Sequence, residues 1–331
     1  MDLRVIWYVL IGVLLTGYAI LDGFDLGVGV LYPFLARDER DRRTLLAAIG
    51  PVWDGNEVWL LTGGGALFAA FPHVYATVFS GFYLALMLVL FALIFRAVSL
   101  EFRRDPGWRK LWDSAFAVGS SVPAFLFGVA VGNIARGIPL DAHMHYTGTF
   151  LTLLNPYALL IGFLGLAMFC TQGAAYAVLK TEGALQDRAR RWLRGSLLAF
   201  GALFALSTLA SAFVRGATFA RPLAWVAWAA ALGGILLARA SARRKQDLLA
   251  FLGSSLAIVG LMGILGASNF PALVPAVNDP ALSLTVYNAS SSEKTLTVML
   301  VMALVGMPIV IGYTAYIYSV FKGKARAEEG Y

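Results

Sequence analysis

Nine stretches of twenty-one or more mostly apolar residues, separated by short charged or proline-rich breaks, leave this chain few folds to adopt. They cover 4–32, 51–71, 74–100, 113–135, 155–180, 190–214, 219–239, 247–269 and 294–321. A helix rising about 1.5 Å per residue needs about 20 such residues to cross the hydrocarbon core of a bilayer, so each stretch is expected to be a membrane span. The expected fold class is an all-α integral membrane protein, with residues 1–331 forming one polytopic domain. Composition agrees, with 59% hydrophobic and 14% charged residues, against roughly 45–50% and about 25% in soluble domains. The first stretch is longer than a signal-peptide core, contains carboxylates and has no small-residue cleavage site behind it, so it reads as a span. The single cysteine, Cys170, rules out an internal disulfide framework and a cysteine-rich metal site, and reads as a small packing residue.

The basic residues give the orientation. Of the 26 Lys and Arg, 21 fall after the first, third, fifth, seventh and ninth stretches, Arg96 being counted with the group that follows the third stretch. Arg4, Arg136, Arg215, Arg221 and Lys294 are left for the other side. The positive-inside rule then places the N-terminus in the periplasm and the C-terminus in the cytoplasm, which requires an odd number of spans. The net charge of +7 is thereby explained by topology, and no nucleic acid partner is expected. The connection from Phe270 to Glu293, with Pro271, Pro275 and Pro280, is long enough to be an ordered loop with a role. At its end, Ser290 to Ser292 read as a polar cap for the last helix, with Glu293 at the positive end of the helix dipole.

Acids inside the apolar stretches are the chemically informative feature. Asp22 and Asp25 lie in "ILDGFDLGVG", and Asp54, Asn56 and Glu57 open the second stretch in "GPVWDGNEVWLL". Each acid pair is three residues apart and shares a helix face. The first helix reaches the cytoplasmic side where the second starts, so the two groups are expected at similar depth. Carboxylates in a membrane are costly and tend to line a protein interior or a wet path, which makes Asp54, Asp22, Asp25, Glu57 and Asn56 candidates for proton transfer. A purely structural alternative has Asp54 capping its helix while Asp22 and Asp25 pair with arginines of the first cytoplasmic loop or of a partner. Gly23 and Gly27 form a G-x-x-x-G spacing that lets helices approach. The histidines, His73, His143 and His145, fall at outer ends or in loops, so no two spans offer facing haem ligands. His143 and His145 with Asp141 are too few for a convincing metal site.

The segments "GYAILDGFDLGVG", "GPVWDGNEVWLLTGGGALFAAFPHVYATVFSGFY", "LLNPYALLIG", "TQGAAY" and "LTVYNASSSEKTLTVM" resemble, in order and over nearly the whole chain, subunit II of the cytochrome bd-type quinol oxidases. The resemblance implies nine transmembrane helices, arranged as two four-helix bundles plus one peripheral helix, and a partner, subunit I, of homologous fold. It implies a complex in the bacterial inner membrane that takes electrons from quinol and protons from the cytoplasm to reduce O2 to water. Subunit I would carry the haems, two b-type and one d-type or a third b-type, leaving this chain no haem and no catalytic residue of its own. In the family, subunit II contributes a proton route, and the matching residues are Asp54, Asp22 and Asp25; some members have Gln in place of Glu57. Some relatives hold a structural quinone in subunit II, and small single-helix accessory subunits and membrane lipid are further expected partners. The chain is shorter than the best-known members, chiefly in the later loops, and resembles the compact branch that includes the cyanide-insensitive oxidases. Two other readings remain open from the residues: a proton-coupled secondary transporter, and a structural subunit whose acids only pair with basic groups.

Overall fold

The computed structural model describes residues 2–215 and 220–327. The first residue of the expected seventh span, at 219, and the end of the chain lie outside them. Eleven helices follow one another: α1 (Leu3–Leu35), α2 (Glu39–Ile49), α3 (Trp53–Ala70), α4 (Pro72–Gly81), α5 (Tyr83–Phe102), α6 (Arg109–Arg136), α7 (Pro156–Lys180), α8 (Gly183–Val214), α9 (Pro222–Arg243), α10 (Asp247–Asn269) and α11 (Glu293–Val320). A short hairpin, β1 (Ala272–Val274) and β2 (Leu284–Thr285), lies in the last long connection. Eight of the described helices are long and apolar enough to cross a membrane: α1 and α5 to α11. The protein is an all-α, multi-pass membrane protein. The other long helix, α3, has 18 residues and begins with polar side chains.

Two expectations need correction. The stretch 74–100 is not one helix: α4 ends at Gly81, and Phe82 turns the chain with φ −99° and ψ 17° before α5 begins. Tyr146, from a distant loop, lies against this joint. Its Cβ is 2.7 Å from where a Cβ on Gly81 would sit, and its ring meets Phe82 edge-on at 6.2 Å. Hydropathy reports the apolar run and not a one-residue break in helical dihedrals within it. The first basic break is also not a bare loop, since α2 forms there with Asp38 as its N-cap, accepting from the Asp41 amide at 2.8 Å.

Helix α1 is the central element, packed against α3, α6, α7 and α10. It approaches α7 closely because both carry glycine at the crossing: a Cβ on Gly27 would lie 1.9 Å from the Phe169 carbonyl oxygen, and one on Gly173 would lie 2.3 Å from the Gly27 carbonyl carbon. This is the small-residue packing that membrane helices use where no hydrophobic effect drives them together. Phe24 then stacks on Tyr176 at 3.9 Å, whose hydroxyl donates to the Ala48 carbonyl at 2.8 Å and ties α7 to α2. Helix α11 is attached differently. Only Leu296 is buried in it, and hydrogen bonds near its two ends hold it: Trp7 Nε1 donates to the Leu296 carbonyl at 3.0 Å, and Tyr318 donates to Asn56 Oδ1 at 3.1 Å.

The two ends of the helix bundle are built from different chemistry. At one, Arg103 makes a two-pronged contact to Glu39 (2.9 and 2.8 Å) and donates from Nε to Asp113 at 2.5 Å, while Tyr32 donates to the same Asp113 oxygen at 2.6 Å. Arg42 approaches Asp113 at 3.2 Å, Arg188 reaches Asp41 and the Leu35 carbonyl, and Arg190 clamps Asp247 at 2.6 and 2.8 Å. At the other end, the connection after α10 is ordered by backbone pairing. Ile138 bridges to Ala276, and Asn278 both accepts from Leu140 N at 3.0 Å and donates to Leu140 O at 2.8 Å. Ser292 caps α11 as expected, accepting from the Thr295 amide at 3.2 Å.

Two outcomes follow. Gly27→Ala lowers the thermal unfolding midpoint of the purified protein, with a stability loss of about 1–3 kcal/mol from overpacking, whereas Gly12→Ala, with open space around it, leaves the midpoint unchanged. The hydrogen bonds from Arg103 hold the Glu39 carboxyl down at about 2, from an ordinary value of 4.5. Because the folded-state value is depressed, this contribution is present in full above pH 4.5 and lost as pH falls towards 2. The stability difference between wild type and Glu39→Gln is therefore flat above pH 4.5 and narrows below it in pH-dependent unfolding.

Candidate functional site

Four helices converge near the basic end of the bundle on one charged cluster. From α1, Asp22 and Asp25 are both fully buried. From α5, Arg96 is also fully buried, and it donates from Nη2 to Asp22 Oδ1 at 2.9 Å and from Nη1 to Glu57 Oε1 at 2.8 Å. From α3, Asn56 donates to Asp25 Oδ2 at 2.8 Å and accepts from Tyr318 of α11. The side chain of Glu57 is 25% exposed. Asp54, one turn nearer the start of α3, is exposed and accepts only from the adjacent Gly55 amide at 2.7 Å.

The geometry sorts the residues singled out from the sequence. Asp22, Glu57, Asp25 and Asn56 form one contiguous network, and Asp54 stands at its open edge. Asp54 does not act as a helix cap, since Val52 occupies that position and makes no side-chain cap bond. Asp22 does not pair with the first loop either: the arginines there, Arg42 and Arg43, are engaged by Asp113 and Glu39. Its partner is Arg96, which belongs to the interior of α5 and not to the basic break where the topology count put it. Arg96 and Tyr318 are the residues sequence reasoning missed. The signal for Arg96 was present, because "LFALIFRAVSL" places a lone arginine inside an apolar run, the same anomaly that marked the aspartates.

The charges do not cancel. Three carboxyl groups, Asp22, Asp25 and Glu57, share a single guanidinium, and Asp25 Oδ1 has no hydrogen-bonding partner among the described residues. A buried charge left without a partner costs several kcal/mol. The arrangement thus fixes Arg96 firmly and leaves Asp22 Oδ2, like Asp25 Oδ1, without a hydrogen-bonding partner among the described residues.

A second feature lies towards the other end. A cleft of about 310 Å³ runs between α1, α6, α7, α8 and α10, mostly apolar, with Tyr157, Ser211, Arg215 and Asn269 among its lining. Tyr157 is hydrogen-bonded to Ser211 at 2.8 Å, and Arg215 donates to the Ala135 carbonyl at 2.9 Å and to Asn269. The histidines stay away from both sites. His73 is exposed at the start of α4, and His143 and His145 are exposed in the loop beyond α6. The Asp141 carboxyl there accepts from the backbone amides of both His145 and His143 at 2.8 Å, and these bonds hold it below the usual carboxylate range, the His145 amide most strongly. No group of three or more His, Cys, Asp or Glu residues suited to a metal ion occurs among the described residues.

Arg96→Met strands Asp22 and Glu57 and lowers the stability of the purified protein by about 3–5 kcal/mol. The double variant Arg96→Met/Asp22→Asn recovers part of that loss, and a thermal-unfolding double-mutant cycle reads the coupling.

With the geometry in hand, the chain can be set beside known proteins. The sequence model described as "Cytochrome bd terminal oxidase subunit II" matches residues 3–321. The "Cytochrome bd-I ubiquinol oxidase subunit 2" of Escherichia coli K12 is 40% identical, covering 99% of this chain and 96% of that protein. The "Cytochrome bd ubiquinol oxidase subunit 2" of Bacillus subtilis is 38% identical over 99% of this chain and 98% of that one. Among solved structures, a chain of the bd oxidase from Geobacillus thermodenitrificans superposes with a TM-score of 0.80 at 17% identity, covering 97% of this chain and 99% of that chain, so the fold is shared. A family match across almost the entire chain, on a bundle of the same fold, means that this protein belongs to the cytochrome bd terminal oxidase subunit II family.

Proposed function

We propose that this chain is the haem-free half of a quinol-oxidising, O2-reducing complex of the bacterial inner membrane, and that it forms one wall of a proton path. Membership of the family supports the first part. The charged cluster carries the second. Asp54 and Glu57 are the outer tier, open on the side of α3 that turns away from the chain's own core. Each can take a proton from water at a carboxyl oxygen and hand it on across the short reach between successive helix turns. Asp22 and Asp25 form the inner tier, held in place by Arg96 and by the Asn56–Tyr318 pair. Asp22 Oδ2 and Asp25 Oδ1 are their open acceptors. Arg96 moves no proton. It keeps Glu57 and Asp22 at fixed positions, and its charge makes it favourable for a carboxylate to persist between proton arrivals.

In this reading α3 also crosses the membrane, which brings the spans to nine and puts the N-terminus in the periplasm and the C-terminus in the cytoplasm. α1, α3, α5 and α6 then form one four-helix bundle, α7 to α10 the other, and α11 the peripheral helix. Subunit I covers the α3 and α11 faces, where Val58, Leu61, Val301, Met302 and Val305 are exposed and Asp54 needs a polar environment. The haems, two of b type with one d-type or a third b-type, belong to that partner, as this chain's exposed histidines do not suit a haem buried between helices. A structural quinone fits the cleft, its ring at the Tyr157 and Arg215 end and its isoprenoid tail along Phe127, Met168 and Phe204. Bound there, it would act as a filler and brace between α1 and α8. Small single-helix accessory subunits are also accommodated on the exposed helix faces. A transporter would instead place its site at broken helices near the midplane, whereas α1, α3 and α5 run unbroken through the cluster.

The test is steady-state turnover of the assembled oxidase. Asp54→Asn slows quinol-dependent O2 consumption by about tenfold or more, an increase of about 1.4 kcal/mol in the barrier, with the haem spectrum and KM for quinol unchanged. Turnover close to wild type would leave the acids with a structural role only.

A further inference from the structure

On the basic end, a pocket of about 320 Å³ lies between the first turns of α8 and the junction of α9 with α10. Arg190, Arg191 and Arg194 from α8 line it, together with Arg243, Lys245 and a single acid, Asp187. Arg190 is already neutralised by its two-pronged contact with Asp247. The other four cations make no ion pair among the described residues. Some arginines on this end are matched to acids, as Arg103 is to Glu39 and Arg188 to Asp41; what sets this place apart is that these four cations line one pocket with a single acid. Lys245 accentuates it. It adopts φ 56° at the tight joint between α9 and α10, a conformation that glycine takes at less cost, and it thereby adds a cation to the pocket rim.

The setting identifies the anion that such a pocket would hold. Helix α8 has 32 residues and is about 48 Å long, more than the roughly 30 Å hydrocarbon core. Its first turns therefore stand at the headgroup level, with Arg191 and Arg194 there. Two turns further into the bilayer the same faces become apolar: Leu198 follows Arg191 by seven residues, and Leu236 precedes Arg243 by seven, both more than half exposed. α9 packs mainly on α10 and only lightly on α8, and Leu198 and Leu236 present exposed apolar surface on these two helices. A phosphate group in the pocket with acyl chains along that surface satisfies both halves of the site. A soluble phosphate satisfies only the first.

We propose that this pocket is a binding site for an anionic phospholipid, its headgroup phosphate held by Arg191, Arg194, Arg243 and Lys245 and its acyl chains laid along Leu198 and Leu236. The site lies on the α8–α10 side, away from the Asp22–Arg96–Glu57 cluster, and does not depend on the proton-path reading. The surplus of cations over Asp187 favours a headgroup with two phosphates over one.

The experiment uses the intact oxidase complex in mild detergent, with bound lipid read by native mass spectrometry and affinity by titration of the delipidated complex. The probes are diphosphatidylglycerol, phosphatidylglycerol, phosphatidylcholine and inorganic pyrophosphate. Wild type binds diphosphatidylglycerol tightest and phosphatidylcholine weakest. With each surface cation contributing about fivefold, Arg191→Ala/Arg194→Ala/Arg243→Ala weakens the anionic lipid on the order of a hundredfold. The corresponding triple lysine variant keeps most of the affinity, as does a control pair, Arg40→Ala/Lys110→Ala, outside the pocket. If the triple alanine variant does not assemble, Arg194→Gln alone gives a loss of about fivefold. Equal lipid binding by wild type and these variants, or equal binding of phosphatidylcholine, overturns the proposal. Pyrophosphate binding as tight as that of the lipid also overturns it and assigns the pocket to a soluble phosphate ligand.

Discussion

One guanidinium, that of Arg96, determines how the membrane-embedded polar groups of this protein are arranged. A carboxylate inside a bilayer persists only beside a counter-charge or in contact with water. Asp22 has the first through Arg96, and Glu57 has both. Because Arg96 sits on α5, its two contacts join α5 to α1 and to α3. The same contacts bring Asp25 beside Asn56, and Asn56 in turn anchors the far end of α11 through Tyr318. Removing the arginine would therefore do more than leave an acid unpaired: it would release the register of four helices at one depth.

The close approach of α1 and α7 is the complementary constraint. Side chains cannot fill the crossing at Gly27 and Gly173, since the backbones are already in contact. That contact leaves Phe24 and Tyr176 stacked on one side. It keeps α1 central, so that the cluster on one of its faces and the apolar cleft along another are built on the same rigid helix. A site on a buried helix holds its geometry better than one on a loop, which suits groups that must lie within hydrogen-bonding distance of one another.

The outer surface completes this logic. α11 buries a single residue, and α3 turns Asp54 and several large apolar side chains outward. An acid at the edge of the bilayer on an otherwise apolar face is consistent with a chain that functions beside a partner. The charged regions differ in a similar way: Glu39, Asp113 and Asp41 tie down the segments near α1, whereas at the α8–α9 corner Arg190 is paired with Asp247 and Arg191, Arg194 and Arg243 make no ion pair among the described residues.

The spacing of apolar residues was enough to establish the membrane-helix class, and the Asp22–Asp25 and Asp54–Glu57 pairs were legible as candidates, because an acid in an apolar run is anomalous whatever surrounds it. Their likeness to a family was legible too, in contiguous segments. The break at Phe82 was not, since the apolar run continues through it and its packing against Tyr146, more than sixty residues away, is a tertiary contact. Nor was the partner of Asp22. Arg96 reads as a loop cation when charges are counted by side of the membrane, and only the packing of α5 against α1 and α3 turns it inward. Local sequence thus determined which groups are costly to bury, a property of each residue in its own helix. Tertiary structure decided which group offsets which, because the meeting of Asp22, Arg96 and Glu57 depends on three helices distant in the chain.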